Sequence, residues 1–453
     1  MSTPADAQRM EKIVSLCKRR GFIFQSSEIY GGLNGLWDYG PLGVELKRNL
    51  KNYWWRVTVH ERDDVVGMDG AILTHREVLK ASGHVEGFSD PMIDCRTCKA
   101  HFRFDQLIEK KGVKQCPNCG GKDLTDARQF NLMFETHVGA AADESSIAYL
   151  RPETAQSIFV QFKNSLEVSR KKLPFGIAQI GKAFRNEINP RNFTFRSREF
   201  EQMELEYFCR AEEGMKLLEY WKEERLKFYE SIGIPREKLH VKTVSDEERA
   251  FYSKGTYDIE YDFPFGRQEL EGVAYRTDYD LSQHQKASGK SLEYFDEVTK
   301  QRFIPHVVEP SAGVDRTVLA LICEAYSEDQ APDEKGKMET RVVLHFHPRM
   351  APIKCGIFPL LKNNERLVAK AKEVVDLLRP HMFVFYDESG AIGRRYRRQD
   401  EIGTPFCVTV DFETLGEKDE KLRDTVTLRE RDSMKQERIA ISDLLAALSV
   451  RIA

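Results

Sequence analysis

The chain has 453 residues, 41% of them hydrophobic and 31% charged, which suits large cores in two or three domains and excludes a disordered tail. Its 69 lysines and arginines face 72 acidic residues, so a net charge of -3 leaves any polyanionic partner to be met by local basic patches. Met1 to Arg20 holds no continuous apolar run suited to secretion or membrane spanning, and the expected location is the cytoplasm. Of nine cysteines, Cys17, Cys209, Cys323, Cys355 and Cys407 are scattered and four form two close pairs, a usage that favours a metal site over a disulfide framework.

In chain order, Gly40 and Pro41 open the first distinct element. Leu42, Leu46, Leu50, Tyr53, Trp54 and Val57 then recur at three- and four-residue steps, an amphipathic helix within Trp37 to Val57. From Phe88 to Phe130 a cysteine-bearing stretch reads as a small inserted module, zinc-ribbon-like in its spacing. Cys95 and Cys98, then Cys116 and Cys119, give C-x2-C, seventeen residues and C-x2-C, a spacing that lets four thiolates surround one tetrahedral zinc. Four protein ligands leave that zinc no open position, so its role would be structural; four free thiols are the plain alternative.

Phe175 to Phe184 and Arg198 to Phe208 are apolar-rich runs without helical period, joined by a loop rich in Asn and Arg, and they read as a hairpin in an antiparallel sheet packed against helices. The hairpin carries Arg185, Arg191, Arg196 and Arg198 beside Glu187, Glu199, Glu201, Glu204 and Glu206. A strand polar on both faces cannot simply cap a core. A solvent-exposed hairpin laced with ion pairs, each worth about 0 to 1 kcal/mol, is the other reading. Further on, Gly313 marks the loop before a helix with Val314, Val318 and Leu321 at helical spacing, which puts Arg316 in its first turn. A cation there opposes the helix dipole and calls for a nearby anion or aromatic surface.

Apolar residues nearly vanish in Ser327 to Glu339, which is expected to be a linker or long surface loop. Beyond it, apolar runs at Arg341 to Phe346, Met382 to Tyr386 and Pro405 to Phe412, with a helical pattern from Asn364 to Leu378, predict a compact α/β domain. Within it, Arg394, Arg395, Arg397 and Arg398 surround Tyr396, offering charge for phosphate and one stacking surface, although such runs are usually solvated faces. The boundaries read from this pass are 1–326, with 88–130 inserted, a linker at 327–339, and 340–453.

The segment FRNE at Phe184 to Glu187, followed by a loop and REFEQME, closely resembles motif 2 of the class II aminoacyl-tRNA synthetases. EPSAGVDR at Glu309 to Arg316 resembles their motif 3, and the Trp37 to Val57 helix their dimer-forming motif 1. The resemblance implies an α+β class II catalytic domain, its antiparallel sheet flanked by helices, and a homodimer. It implies an ATP site of Arg185, Asn186, Glu187, Phe195, Arg196, Phe200, Glu269, Leu270, Gly313 and Arg316, with magnesium near Glu269. Arg185 would contact the α-phosphate and the amino acid carboxylate, Arg196 the γ-phosphate, and Arg316 would stack on adenine, which makes Arg185 and Arg316 the catalytic pair. Guanidinium suits the task because it offers two parallel donors to phosphate oxygens.

RPETAQ at Arg151 to Gln156, ELEG at Glu269 to Gly272 and EPSAG at Glu309 to Gly313 are similar to the glycine-specific branch, and with the carboxyl-terminal domain the likeness covers nearly the whole chain. It implies that Glu153, Glu204 and Glu309 surround the ammonium of glycine, with Arg276 close by, Ser311 blocking larger side chains, and Arg103 as a further substrate contact. An amino acid without a side chain offers only its ammonium, carboxylate and smallness, and fitting one methylene is worth only about 1 to 3 kcal/mol, so rejecting alanine needs a rigid obstacle. The implied reaction is attack of the glycine carboxylate on the ATP α-phosphate, then transfer to the terminal ribose of tRNA, with no nucleophilic side chain. The carboxyl-terminal domain resembles the anticodon-binding domain of glycyl, threonyl, prolyl and histidyl enzymes. A sister synthetase for threonine, proline or serine would need a different pocket; a catalytically dead nucleic-acid-binding relative would have lost the arginines that are present here.

Overall fold

A computed structural model describes residues 4–453 except 106, 108–111, 113, 114, 141, 251, 333–336 and 418. Period-two sequence builds its central feature. Phe175–Phe184 and Glu199–Cys209 pair antiparallel from Phe175 opposite Phe208 to Phe184 opposite Glu199, as the two runs predict. They sit in a seven-stranded sheet ordered Leu239–Thr243, Gly255–Phe263, Gly266–Thr277, His306–Gly313, Glu199–Cys209, Phe175–Phe184 and Val65–Gly67. Every neighbouring pair is antiparallel except the last, which is parallel.

Alternation along the strands decides which face becomes core. Met203, Leu205 and Tyr207 join Val273, Tyr275, Val308 and Ala312 in one buried cluster, covered by the helices Pro41–Trp55, Gly214–Ser231 and Val314–Ala325. Each such large side chain contributes about 1.5 to 3 kcal/mol on burial. Residues one step out of phase, Gln202, Glu204, Gly272, Ala274, Arg276, Glu309 and Ser311, face the other way and line a cleft. The helix Pro41–Trp55 starts at Pro41, buries Leu46, Leu50 and Trp54, and ends in a wider turn at Arg56–His60. A Cβ at its Gly43 would lie 1.8 Å from the Phe22 carbonyl oxygen, so glycine alone permits that approach.

The inserted stretch forms a three-stranded sheet ordered His101–Arg103, Ser89–Asp94 and Arg128–Asn131. Toward the carboxyl terminus, a five-stranded sheet runs Val384–Tyr386, Cys355–Pro359, Phe406–Val410, Thr425–Glu430 and Gln436–Ala440, parallel at its first two junctions and antiparallel at the others. Its helix Glu365–Leu378 is capped by the Asn364 side chain, which accepts from the backbone of Arg366 and Leu367. Among the described residues no helix is long and apolar enough to cross a membrane.

The stretch expected as a linker at 327–339 is ordered instead into the arms of a two-stranded hairpin, Tyr326–Pro332 paired with Met338–Leu344; positions 333–336 at its tip lie outside the described residues. A two-stranded ribbon buries little, so polar residues suffice to make it, and composition alone reads as loop. The arginine cluster also differs from expectation. It lies on the helix Ile392–Ile402, where Arg395 is buried and donates to the carbonyls of Pro359, Glu388 and Gly390. Tyr396 donates or accepts a 2.6 Å hydrogen bond with Thr409, packs edge-on against Phe358 and lies under Arg429, so its ring is already engaged.

Candidate active site

The cleft on the polar face of the central sheet has a volume of about 390 Å³. At one end stand arginines. Arg185, at the close of the strand Phe175–Phe184, donates its Nε to the Pro152 carbonyl at 3.0 Å and holds its guanidinium 5.3 and 5.4 Å from the rings of Phe88 and Phe200. Arg196 lies 3.4 Å from Glu187 Oε2, and its buried Nε has no partner among the described residues. Arg316 meets the demand its place in the helix sets. Its guanidinium lies 4.5 Å from the Phe195 ring, its Nη1 3.4 Å from Glu269 Oε1, and it donates to the carbonyls of Phe195 and Glu269. Phe195 is braced edge-on by Phe263 and Phe265, each at 5.3 Å. A stacked cation and ring with an opening between arginines can receive a purine and a polyphosphate.

At the other end stand carboxylates. Glu153 accepts from Gln156 at 2.9 Å and lies 3.6 Å from His84. Burial by itself would raise its pKa, but the charges of His84 and Arg276 hold it well below the ordinary range. Glu204 accepts hydrogen bonds from the hydroxyls of Thr154 and Ser311, the latter at 2.7 Å. Its pKa is raised, by burial first and by the Glu153 charge second. Glu309 accepts two bonds from Arg276 Nη1, at 3.0 and 2.9 Å, and burial pushes its carboxyl well above the usual value. Behind them Glu206 is fully buried, and neither of its oxygens has a partner among the described residues. Oxygens of Glu204, Glu206 and Glu309 lie within 4.8 Å of one another. Arg276, held by Asp280 at 2.8 Å and capped by Tyr252 at 4.2 Å, is the buried cation of this end. Carboxyls that outnumber the one buried guanidinium, and that burial makes ready to share charge or a proton, suit a small cation.

The cleft brings together Arg185, Glu187, Phe195, Arg196, Phe200, Glu269, Leu270, Gly313 and Arg316 with Glu153, Glu204, Arg276, Glu309 and Ser311. Asn186 does not line it; its backbone N–H donates to the Leu132 carbonyl at 2.7 Å. Arg103 stays on the inserted sheet, ion-paired with Asp90 at 2.7 Å and Asp105 at 2.9 Å, although the charge of Glu187 reaches it. Thr194, Ser197, Gln202, Tyr252, Gly272, Ala274 and Asp315 also line the cleft and were not expected. Period two would have found several of them, since Gln202 follows Phe200 and precedes Glu204 on one strand face, and Gly272 and Ala274 lead to Arg276 on another.

The four cysteines of the inserted module converge. Cys95 and Cys119 Sγ are 3.7 Å apart, Cys98 and Cys116 Sγ 3.5 Å, and all four sulfurs fall within 4.8 Å. A tetrahedral ion with sulfur ligands at about 2.3 Å requires sulfur–sulfur edges of roughly 3.8 Å. Both C-x2-C turns are alike: Lys99 N–H donates to the Cys95 carbonyl and Gly120 N–H to that of Cys116, with Lys99 and Gly120 at positive φ. The residues fit a closed structural metal site.

Comparison with known proteins agrees with this geometry. Residues 134–326 match the tRNA synthetase class II core domain (G, H, P, S and T), and residues 354–451 match the anticodon binding domain. The chain is 52% identical to the glycine–tRNA ligase of Thermobifida fusca, over 99% of both chains. It is 52% identical to that of Treponema denticola, over 98% of this chain and 97% of the relative, and 50% identical to that of Clostridium perfringens, over 97% of each.

Proposed function

The chain belongs to the glycine–tRNA ligase family and is an aminoacyl-tRNA ligase, and from that premise we propose how its cleft divides the reaction. The observation that carries the reading is the polarity of the cleft, with Arg185, Arg196 and Arg316 at one end and Glu153, Glu204 and Glu309 at the other.

ATP binds with adenine stacked on the face of Arg316 that Phe195 backs from the other side, and with its phosphates toward Arg185 and Arg196. Glu269 would hold magnesium, which would supply charge to offset the phosphates. The glycine ammonium sits among Glu153, Glu204 and Glu309, with its carboxylate toward Arg185. Arg185 then neutralises the charge that develops as a carboxylate oxygen attacks the α-phosphorus, the P–O bond to pyrophosphate breaks, and glycyl-adenylate forms. The 3′ hydroxyl of the terminal tRNA ribose next attacks the activated carbonyl and releases AMP. Ser311, tied to Glu204, stands where a side chain on the substrate would project. Arg103 keeps a substrate role only by exchanging Asp105 for the substrate carboxylate, which requires the inserted module to shift. Cys95, Cys98, Cys116 and Cys119 would hold a zinc that fixes that module.

Residues 1–326 form the catalytic domain and 340–453 an anticodon-binding domain, a division whose second part the 354–451 match supports. A homodimer is supported by Ile29 and Tyr30, 89% and 87% exposed on the turn Glu28–Tyr30, an apolar pair that a second copy would cover. The deciding experiment is amino-acid-dependent exchange of pyrophosphate into ATP, with glycine, alanine, serine, threonine and proline. Exchange with glycine alone, abolished by Arg185→Ala, is the expected outcome. Exchange with another amino acid would sink the pocket assignment, and none at all would favour a nucleic-acid-binding protein without catalysis.

A further inference from the structure

Behind the arginine end of the cleft, polar groups from separate stretches of chain meet in the core. The Asp315 carboxylate, one residue before Arg316, accepts from the Tyr39 hydroxyl at 2.6 Å, Lys47 Nζ at 2.9 Å and the Glu201 backbone N–H at 2.6 Å. Lys47 Nζ also lies 2.9 Å from Glu201 Oε2, and Lys51 Nζ lies 2.7 Å from Glu201 Oε1. Lys47, Glu201 and Asp315 are 6%, 8% and 6% exposed. Burial would raise both acids, yet the Lys47 charge brings each below its ordinary value, so the cluster is a set of ions.

Each member touches a support of the cleft without entering the chemistry. Asp315 fixes the first turn of the helix that bears Arg316, and its backbone carbonyl accepts from Thr194 Oγ1 at 3.5 Å, next to Phe195. Glu201 follows Phe200 on the strand Glu199–Cys209. Lys47 comes from the helix Pro41–Trp55, which contributes no residue to the cleft. A buried ion cluster adds little net stability over apolar packing of the same volume, so what it adds is geometry: three elements can be joined in one register only.

We propose that Lys47 is a positioning residue for ATP, clamping through Asp315 and Glu201 the backbone that aims Arg316 and Phe195, and so tying the Pro41–Trp55 helix to nucleotide affinity. The inference rests on the assignment of Arg316 and Phe195 to ATP. Pyrophosphate exchange with ATP and glycine varied separately tests it, on the full chain and on Lys47→Met, Lys47→Arg, Tyr39→Phe and Arg316→Ala, with thermal melts of each. Lys47→Met raises the KM for ATP about tenfold and leaves the KM for glycine within about twofold; Lys47→Arg recovers most of the loss, and Tyr39→Phe gives about threefold for ATP alone. Folded Lys47→Met and Tyr39→Phe with an unchanged KM for ATP, or a KM for glycine that rises in step, would overturn the proposal. Should Lys47→Met not fold, Tyr39→Phe, which removes one hydroxyl, decides it alone. An Arg316→Ala enzyme with unaltered KM for ATP would overturn the nucleotide assignment as well, whereas an effect confined to Arg316→Ala would leave that assignment standing and remove Lys47 from it.

Discussion

Two carboxyls in the cleft are driven in opposite directions. Glu153 is held ionised by His84 and Arg276, while burial and the Glu153 charge raise Glu204 above the ordinary 4.5. Glu204 therefore loses its charge at a higher pH than a free glutamate as the solution is acidified, and the acid limb of the pH profile of kcat/KM for glycine sits above 4.5. In Glu153→Gln the repelling charge is gone, so that limb moves to lower pH; the plateau falls by about ten- to a hundredfold, as expected for losing one charged hydrogen-bond partner. A limb that stays put, measured over a pH series, would contradict the pairing. The same sign governs stability. A carboxyl with a raised folded pKa stabilises at acid pH and loses that contribution as pH rises through its folded value, so an arriving ammonium stabilises the free enzyme most on the alkaline side. Gly272 is a further test at this scale. It pairs with Ser311 across the sheet, lines the cleft, and a Cβ there meets nothing within 4 Å. Gly272→Ala leaves the melting temperature within about 2 °C and raises the KM for glycine at least about fivefold, because the methyl fills the space of the substrate and not of the core.

The elements were legible where period and chemistry agreed. Phe175–Phe184 and the helix after Asn364 fall where sequence places them, since alternation and an Asn cap are local signals. The hairpin at 326–344 was not legible, because an exposed ribbon needs no apolar period. Tyr252 escaped for a different reason. It comes from a connection between the strands Leu239–Thr243 and Gly255–Phe263 and reaches the cleft through Arg276, a meeting set by topology and not by spacing. The basic helix Ile392–Ile402 misled in the opposite sense, since composition offered Arg395 and Tyr396 to RNA while packing consumes them. The cysteine module was the clearest of all, because ligand spacing is itself the geometry. On its three short strands Met92 and Ile93 are the buried hydrophobics, so a metal on the four cysteines would carry much of its stability. Chelation is expected to release about one zinc per chain and to expose the module to protease near Cys116, while the seven-stranded sheet keeps its far-ultraviolet signal. Proteolysis mapped before and after chelation checks this; an unchanged pattern would assign the four thiols no metal.

At the scale of the molecule, the segments before the catalytic sheet and the hairpin after it are tied to the carboxyl-terminal region by polar links as well as by chain. Asn49, on the helix Pro41–Trp55, donates to the carbonyls of Met350 and Ala351 at 3.2 and 3.0 Å. Those residues lie in the turn that Lys354 braces by donating to the carbonyls of Pro348, Arg349 and Ala351. Arg20, at the end of the helix Pro4–Arg20, pairs with Glu401 on the basic helix. The strongest link is Asp400, fully buried, which accepts from Arg341 at 3.0 Å and from Arg429 at 2.8 and 3.0 Å. Arg341 belongs to the hairpin that leads out of the catalytic sheet, and Arg429 to the carboxyl-terminal sheet, so this one carboxylate fixes how the second region leaves the first. Removing it leaves the buried Arg429 without its carboxylate, while Arg341 keeps Asp329, and costs about 3 to 5 kcal/mol, concentrated in the carboxyl-terminal region. Adenylation needs only the cleft, whereas transfer needs tRNA held at both regions. Asp400→Ala is therefore expected to keep glycine-dependent pyrophosphate exchange within about twofold and to lower tRNA charging by more than about tenfold, a split that separates loss of RNA positioning from loss of chemistry. Equal losses in both assays would mean that Asp400 supports the catalytic sheet itself, and that the regions fold as one unit.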